Sequence, residues 1–137
     1  MRILALDPGT VRLGVAVSLG DPPVATTRPG LAAQPFGEAI ASLMALVREE
    51  GIARVVVGRP LRLDGTSGVA ERRALRWVRA LREAGVEVVS WDERLTTVEA
   101  TRSLQAQGVR ARQQRDKVDS VAACLLLQSY LRSLEVG

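Results

Sequence analysis

Apolar residues at the start of the chain form two short runs on either side of a tight turn. Residues 2–7 and 11–19 have the composition of strands, and the turn Pro8-Gly9-Thr10 between them is short enough to join an antiparallel pair. Residues 24–27 form a third, shorter run of the same kind. The pattern therefore predicts that the sheet begins as an antiparallel meander.

After residue 36 the apolar positions change to a helical period. The first predicted helix has one apolar face, at i, i+3, i+4 and i+7, formed by Ile40, Leu43, Met44 and Val47. Gly51 follows at a position where glycine commonly ends a helix. The apolar face of a second helix is formed by Ala70, Ala74, Trp77, Val78 and Leu81. We expect this second helix to end before Gly85.

Two further buried strands are predicted at residues 53–58 and 86–91, each after a predicted helix. A capping box at Thr96 opens a third helix that ends near Gly108, and a last helix covers about residues 117–134. Strands that alternate with helices pair in parallel through right-handed crossovers. The sequence therefore predicts an α/β fold with a mixed five-stranded sheet, antiparallel at its N-terminal end, and helices on both faces.

The composition fits a single domain over residues 1–137. A chain of this length buries roughly two-thirds of the surface that its unfolded form exposes. The longest apolar run, from Val121 to Leu127, is too short for a membrane span of roughly 20 residues. The apolar run after Arg2 stops at Asp7, which does not fit a secretory signal. We therefore expect a cytoplasmic protein with no membrane partner.

The charge balance is basic, since 19 lysines and arginines against 15 acids give a net charge of +4. Lys117 is the only lysine, and arginine pairs well with phosphate oxygens, so a polyanionic partner is one interpretation. Genome composition or adaptation to heat explains the arginine content equally well. The chain has no histidine. This excludes Ser–His and Cys–His catalysis and the usual zinc sites, which leaves carboxylates as the main candidates for chemistry.

Three carboxylates stand where functional groups gather in such sheets. Asp7 ends the first strand, Glu93 follows the last predicted strand, and Asp119 falls in the first turn of the last helix. A cluster of acids without histidine or thiolate is suited to binding Mg²⁺ or Mn²⁺. Such a site can hold two ions, one on each side of a bound phosphodiester. Asp7 could instead form an Asx turn, and Asp119 could be a helix-dipole partner. Glu93 could pair with Arg94 or Arg59.

Basic and hydroxyl side chains near these acids could contact phosphate. They include Arg12 after the first turn, Arg94 after Glu93, and the helix N-terminus at Thr96. Each of them is equally well explained as a structural ion pair or a cap. A basic segment over residues 102–117 adds Arg110, Arg112, Arg115 and Lys117. This segment is either a nucleic-acid track or a solvated face.

The chain resembles the YqgF/RuvX family, because four of its motifs occur in the order seen in that family. They are DPGTVRLGVAVS, VVVGRPLRLDGTSG, WDERLTT and KVDSVAACLLLQSYL. The resemblance covers nearly the whole chain. It implies an RNase H-like fold similar to that of RuvC-type Holliday junction resolvases. It also implies a nuclease that processes the 5′ end of precursor 16S rRNA, with resolution of DNA junctions as the alternative.

The resemblance also implies the site residues. Asp7, Glu93 and Asp119 match the family's catalytic acids, and through them the family implies Mg²⁺ or Mn²⁺, two ions per site. Asp92 and Asp116 are neighbouring acids of lower rank. The implied partner is structured RNA or branched DNA.

Two positions depart from the family pattern. Leu19 stands where an aspartate often follows the serine at position 18, which removes a supporting acid. Arg59 stands where an apolar residue is common, and it offers a further phosphate contact.

Other functions remain open from the residues. A catalytically silent RNA-binding ribosome assembly factor is one. An actin-like ATPase fragment is another, because Asp-x-Gly-Thr after a strand resembles the phosphate loop of that group, although those proteins need a second domain. The last helix also has more apolar positions than one stripe against a sheet would use, at Leu125, Leu126, Leu127, Leu131 and Leu134. We expect these to be covered within a monomer, or to support a weak homodimer.

Overall fold

The computed structural model describes residues 1–60, 68–93 and 120–136. Within these ranges the strands are β1 (Arg2–Pro8), β2 (Arg12–Leu19), β3 (Val24–Ala32), β4 (Ile52–Arg59) and β5 (Val88–Asp92). The helices are α1 (Phe36–Glu49), α2 (Val69–Glu83) and α3 (Val121–Val136). The helix predicted between residues 96 and 108 lies outside the described residues, as does the predicted start of the last helix at residues 117–119.

The strands form one mixed sheet in the order β3-β2-β1-β4-β5. β1 pairs antiparallel with β2, and β2 pairs antiparallel with β3. β1 pairs in parallel with β4, and β4 pairs in parallel with β5. This confirms the predicted mixed five-stranded sheet. Because β1, β4 and β5 run in the same direction, their carboxyl ends share one edge of the sheet.

Strand β3 continues to Ala32, beyond the predicted end, although the added segment contains Pro29 and Gly30. The pairing register shifts between Leu13 and Val15 of β2, which leaves two residues of β3 opposite one of β2. Proline is tolerated at such bulges and on edge strands, because no ladder hydrogen bond is required of it there. The predicted strand was too short because a Pro-Gly pair normally indicates a turn.

Alternating side chains of the central strand pack into two hydrophobic cores, one on each face of the sheet. Leu4 and Leu6 belong to the core that β1 shares with α1 and α2. Ile3 and Ala5 belong to the core that it shares with α3. The prediction of helices on both faces is therefore confirmed.

The buried face of α2 differs from the prediction at one position. Ala70 is exposed whereas Glu71 is buried, so the assignment of Ala70 to the apolar face was wrong. The buried positions 71, 74, 77, 78 and 81 keep a helical spacing of three to four, and this phase carries Glu71 inward. Burial of the carboxylate is tolerated because Arg59 pairs with it.

The leucines of α3 are mostly covered within the chain. Leu125, Leu126, Leu127 and Leu131 are each at most 8% exposed, and Leu134 is 48% exposed. The apolar surface considered for a dimer contact is therefore largely used inside the monomer. In the described part of the chain, none of the helices has the length and apolar character needed to cross a membrane.

Candidate active site

Two of the three predicted acids meet at the sheet edge formed by the carboxyl ends of β1, β4 and β5. Asp7 lies at the end of β1, opposite Gly14 of β2. Glu93 directly follows β5. The two carboxyl groups are hydrogen-bonded to each other. The structure thus brings together two side chains that are 86 positions apart in the sequence.

The close approach of the two acids changes their protonation. Burial raises the pKa of Glu93, and the charge of Asp7, the hydrogen bond between the acids and the charge of Asp92 raise it further, to about 8. Burial also raises the pKa of Asp7, but the hydrogen bond to Glu93 and the positive charge of Arg73 oppose this rise. At neutral pH the pair therefore holds one proton on Glu93, which donates it to the Asp7 carboxylate.

Gly58 of β4 leaves room for the Glu93 carboxyl group. A Cβ built on Gly58 would lie 2.6 Å from Oε1 and 3.3 Å from Cδ of Glu93, and 3.2 Å from Cδ2 of Leu126. Gly58 pairs with Trp91 of β5, directly beside the strand that leads to Glu93. Sequence reasoning missed this role. The available signal was the glycine that closes the apolar run of β4, because glycine in a strand often marks a close approach.

The turn after Asp7 is held by its own hydrogen bonds. The Gly9 N–H donates to the Arg12 carbonyl oxygen at 3.1 Å, and a Cβ on Gly9 would collide with that oxygen. Gln34 Nε2 donates to the Thr10 carbonyl oxygen, also at 3.1 Å. A phosphate loop would direct its N–H groups at a phosphate. The use of the Gly9 N–H inside the turn disfavours the ATPase alternative.

Two of the predicted phosphate contacts lie within the described residues, and both have partners in the chain. Arg59 is paired with Glu71, with Nε 2.8 Å and Nη2 2.7 Å from Oε1. Arg12 is exposed, and its Nη2 donates to the Gly30 carbonyl oxygen at 3.1 Å. These bonds fix the orientation of both guanidinium groups near the sheet edge that carries the acids.

The remaining predicted site residues lie outside the described residues. They are Arg94, Thr96, Arg110, Arg112, Arg115, Asp116, Lys117 and Asp119. The first described residue after them, Ser120, is fully buried. Its hydroxyl accepts a hydrogen bond from the Val15 N–H at 3.0 Å and donates one to the Arg28 carbonyl oxygen. This serine ties the start of α3 to β2 and β3.

The donor set at the sheet edge fits a hard divalent cation. Asp7 and Glu93 supply carboxylate oxygens, which Mg²⁺ and Mn²⁺ prefer. Residues 1–60, 68–93 and 120–136 contain no group of three or more potential metal ligands, so the described residues provide two acids of the predicted set. Burial raises both pKa values because it disfavours the charged carboxylates. A cation bound there would stabilise the carboxylates and displace the shared proton.

Known sequences resemble this chain over nearly its full length. Residues 1–133 match the family model RuvX, described as Holliday junction resolvase. A Thermus thermophilus protein named "Putative pre-16S rRNA nuclease" is 41% identical over 131 residues, which cover 96% of this chain and 97% of that relative. A Syntrophus aciditrophicus protein of the same name is 42% identical over 137 residues, with 98% and 90% covered.

Solved structures resemble the chain as well. RuvC of Thermus thermophilus superposes with a TM-score of 0.59 at 18% identity, covering 97% of this chain and 96% of RuvC. The fowlpox virus Holliday junction resolvase gives a TM-score of 0.58 at 11% identity, with 98% and 99% covered. At these identities the similarity concerns the fold, which is the RNase H-like fold expected from the sequence motifs.

Proposed function

The chain belongs to the RuvX family, and from this premise we propose that it is a metal-dependent endonuclease that cleaves phosphodiester bonds of structured nucleic acid. The observation that carries the proposal is the hydrogen-bonded pair Asp7 and Glu93 at the shared edge of three parallel strands. Two half-buried carboxyl groups side by side supply the oxygen ligands that hard cations prefer. The names of the relatives support the same class of activity.

In the proposed site, Asp7, Glu93 and Asp119 would hold Mg²⁺ or Mn²⁺, two ions per site. Bound cations would supply Lewis acidity at the scissile phosphate and lower the pKa of an attacking water. Gly58 keeps the space in which the Glu93 carboxyl group lies beside Asp7. Arg73 offsets part of the negative charge on Asp7. These contacts orient the acids before substrate binds, which is the arrangement that electrostatic catalysis requires.

The proposal assigns the substrate contacts to two groups of residues. The first group consists of Arg12, Arg59, Arg94 and Thr96. The second group consists of Arg110, Arg112, Arg115 and Lys117 of the basic segment, which we propose as a nucleic-acid track. Arginine and helix N-termini recognise phosphate groups rather than bases, so the enzyme would recognise backbone and shape more than sequence.

We propose maturation of the 5′ end of precursor 16S rRNA, in the cytoplasm, as the physiological role. The relatives' names support it. Resolution of four-way DNA junctions is the second candidate, and the description of the family favours it. Resolution needs two symmetric cuts, which a two-fold dimer provides, whereas trimming needs one site. Because most α3 leucines are covered within the chain, we rank the RNA role first and propose a monomer or weak homodimer.

A cleavage panel tests the proposal. The substrates are a precursor RNA, single strands, and a four-way junction with each strand labelled in turn, each with EDTA, Mg²⁺ or Mn²⁺. Asp7→Asn should slow cleavage at least about a hundredfold, the scale of losing one preorganised electrostatic group. Asp21→Asn is the matched control, because Asp21 is exposed between β2 and β3.

Each result of the panel has a distinct meaning. Full activity of Asp7→Asn at matched Mn²⁺ would refute the assignment of the site. RNA binding without cleavage in any metal would favour the non-catalytic assembly factor. A tight dimer in light scattering that makes paired symmetric cuts would make junction resolution the primary role.

A further inference from the structure

A cleft of about 450 Å³ lies between the turn after β1, the segment that joins β3 to α1, and helix α2. The turn contributes Gly9 and Thr10. Helix α2 contributes Arg73 and Arg76. Thr10 is three positions from Asp7, and Arg73 is close enough to Asp7 for its charge to act on that carboxyl group. The cleft therefore adjoins the candidate active site.

The two arginines present positive charge to this cleft. Arg73 and Arg76 are three residues apart in α2, so they are neighbours on one side of the helix. Within the described ranges, neither forms a salt bridge with an acid. Their charge is therefore available for an anion in the cleft.

Arg76 is held in place by an aromatic pair. Its guanidinium carbon lies 3.7 Å from the centroid of the Phe36 ring. Phe36 in turn meets Trp77 edge to face, with ring centroids 4.8 Å apart. Stacking uses the flat face of the guanidinium and leaves the N–H groups in its plane, which is the edge that binds phosphate oxygens. This contact preorganises Arg76 without consuming its donors.

We propose that this cleft binds a backbone phosphate of the nucleic acid next to the one that is cleaved, through Arg73 and Arg76. The proposal rests on the proposed nuclease function, because that function brings a polyanion to the adjoining acids. Asp7 and Glu93 alone repel phosphate, and two arginines on the wall of the same site would offset that repulsion. The turn at Gly9 and Thr10, which also lines the cleft, is hydrogen-bonded through the Gly9 N–H and the Thr10 carbonyl oxygen.

The test measures binding of a fluorescein-labelled four-way DNA junction in EDTA, over a series of salt concentrations. Replacing Arg73 and Arg76 together with glutamine should weaken binding and lower the slope of log affinity against log salt by about 1.8, or roughly 0.9 for each lost contact on duplex DNA. Arg48→Gln is the matched control. This substitution also replaces an arginine by glutamine. Arg48 lies in the last turn of α1, just before the start of β4, and therefore at the edge of the sheet opposite the acids.

A second variant separates phosphate binding from a structural role. Arg73→Lys keeps the charge and should keep the slope close to that of the wild type, and circular dichroism should show native helix content in every variant. Equal slopes for wild type and the double variant, with cleavage intact in the wild type, would overturn the cleft and leave the nuclease proposal standing. A wild type that neither binds nor cuts nucleic acid would overturn both.

Discussion

Gly58→Ala is expected to displace the Glu93 carboxyl group without removing any charged group. The new Cβ would lie 2.6 Å from Glu93 Oε1, whereas ordinary contacts begin at about 3.4 Å. The carboxyl group must therefore move by about 0.8 Å. It can do so cheaply, because it is the end of a flexible side chain.

A displacement of this size should be costly for catalysis and mild for folding. Misplacing a catalytic group by about 1 Å can cost a hundredfold in rate, so we expect kcat to fall between about tenfold and a hundredfold. Gly58 does not have a positive φ, so alanine adds no backbone strain there. Leu126 Cδ2, at 3.2 Å, has to give by only a few tenths of an ångström. The free energy of unfolding should therefore change by less than about 1 kcal/mol.

The assay is steady-state cleavage with saturating substrate and Mn²⁺, run beside chemical denaturation. Gly37→Ala is the matched control, because a Cβ on Gly37 meets nothing within 4 Å and alanine suits helix α1. Wild-type kcat in Gly58→Ala would refute the positioning role of Gly58. A loss of rate that follows the loss of folded protein would refute it equally.

Three other predictions follow from the described contacts and from the basic segment. In EDTA, the free energy of unfolding should fall as the pH rises from 5 to 9. The reason is that Glu93 has a pKa of about 8 in the folded protein and 4.5 in the unfolded chain, so the stability gained from its proton is lost as the pH rises. The free energy of unfolding of Glu93→Gln, measured by denaturation, should not show this fall. Ser120→Ala should cost about 2 kcal/mol in thermal or chemical denaturation, because the buried Val15 N–H and the part-buried Arg28 carbonyl oxygen lose their partner, whereas Ser133→Ala on the half-exposed side of α3 should cost less. Replacing the track residues Arg110, Arg112 and Arg115 with alanine should lower the salt slope by roughly 0.9 per phosphate contact, and an unchanged slope would indicate a solvated face.

The strand pattern of the sequence predicted that Asp7 and Glu93 lie at one edge of the sheet, and the structure brings these two together, whereas the third predicted acid, Asp119, lies outside the described residues. Asp7 and Glu93 each follow an apolar run with strand composition, and parallel strands place their carboxyl ends at one edge. The mixed sheet and the helices on both faces follow from the same alternation of strands and helices, whereas the order of the strands in the sheet was not predicted. What this pattern does not contain is distance, so it could not show that the two carboxyl groups share a proton.

Contacts between elements explain the remaining differences. Gly58 is important because the Glu93 side chain, just after the neighbouring strand, packs directly against it. The sequence around either residue does not indicate this contact. Arg73 is one of several arginines on α2, and only the position of the helix over the turn after β1 distinguishes it. The assignment of Ala70 failed for a related reason, since the pairing of Glu71 with Arg59 allows a carboxylate to occupy the buried phase of the helix.

The acid pair is an unfavourable arrangement that the rest of the fold holds in place. Asp7 ends the central strand, whose Leu4 and Leu6 are fully buried, so a core anchors the backbone that carries its carboxyl group. Asp7→Asn should therefore raise stability in metal-free buffer above the pKa of Glu93, about 8, where two ionised carboxylates would repel each other, while it slows cleavage at least about a hundredfold. Loss of the Ser120 hydroxyl should lower stability without altering the chemistry of the acids. A substitution that raises stability and lowers activity, as expected for Asp7→Asn, identifies a residue that serves catalysis. A substitution that lowers stability alone, as expected for Ser120→Ala, identifies a residue that serves folding.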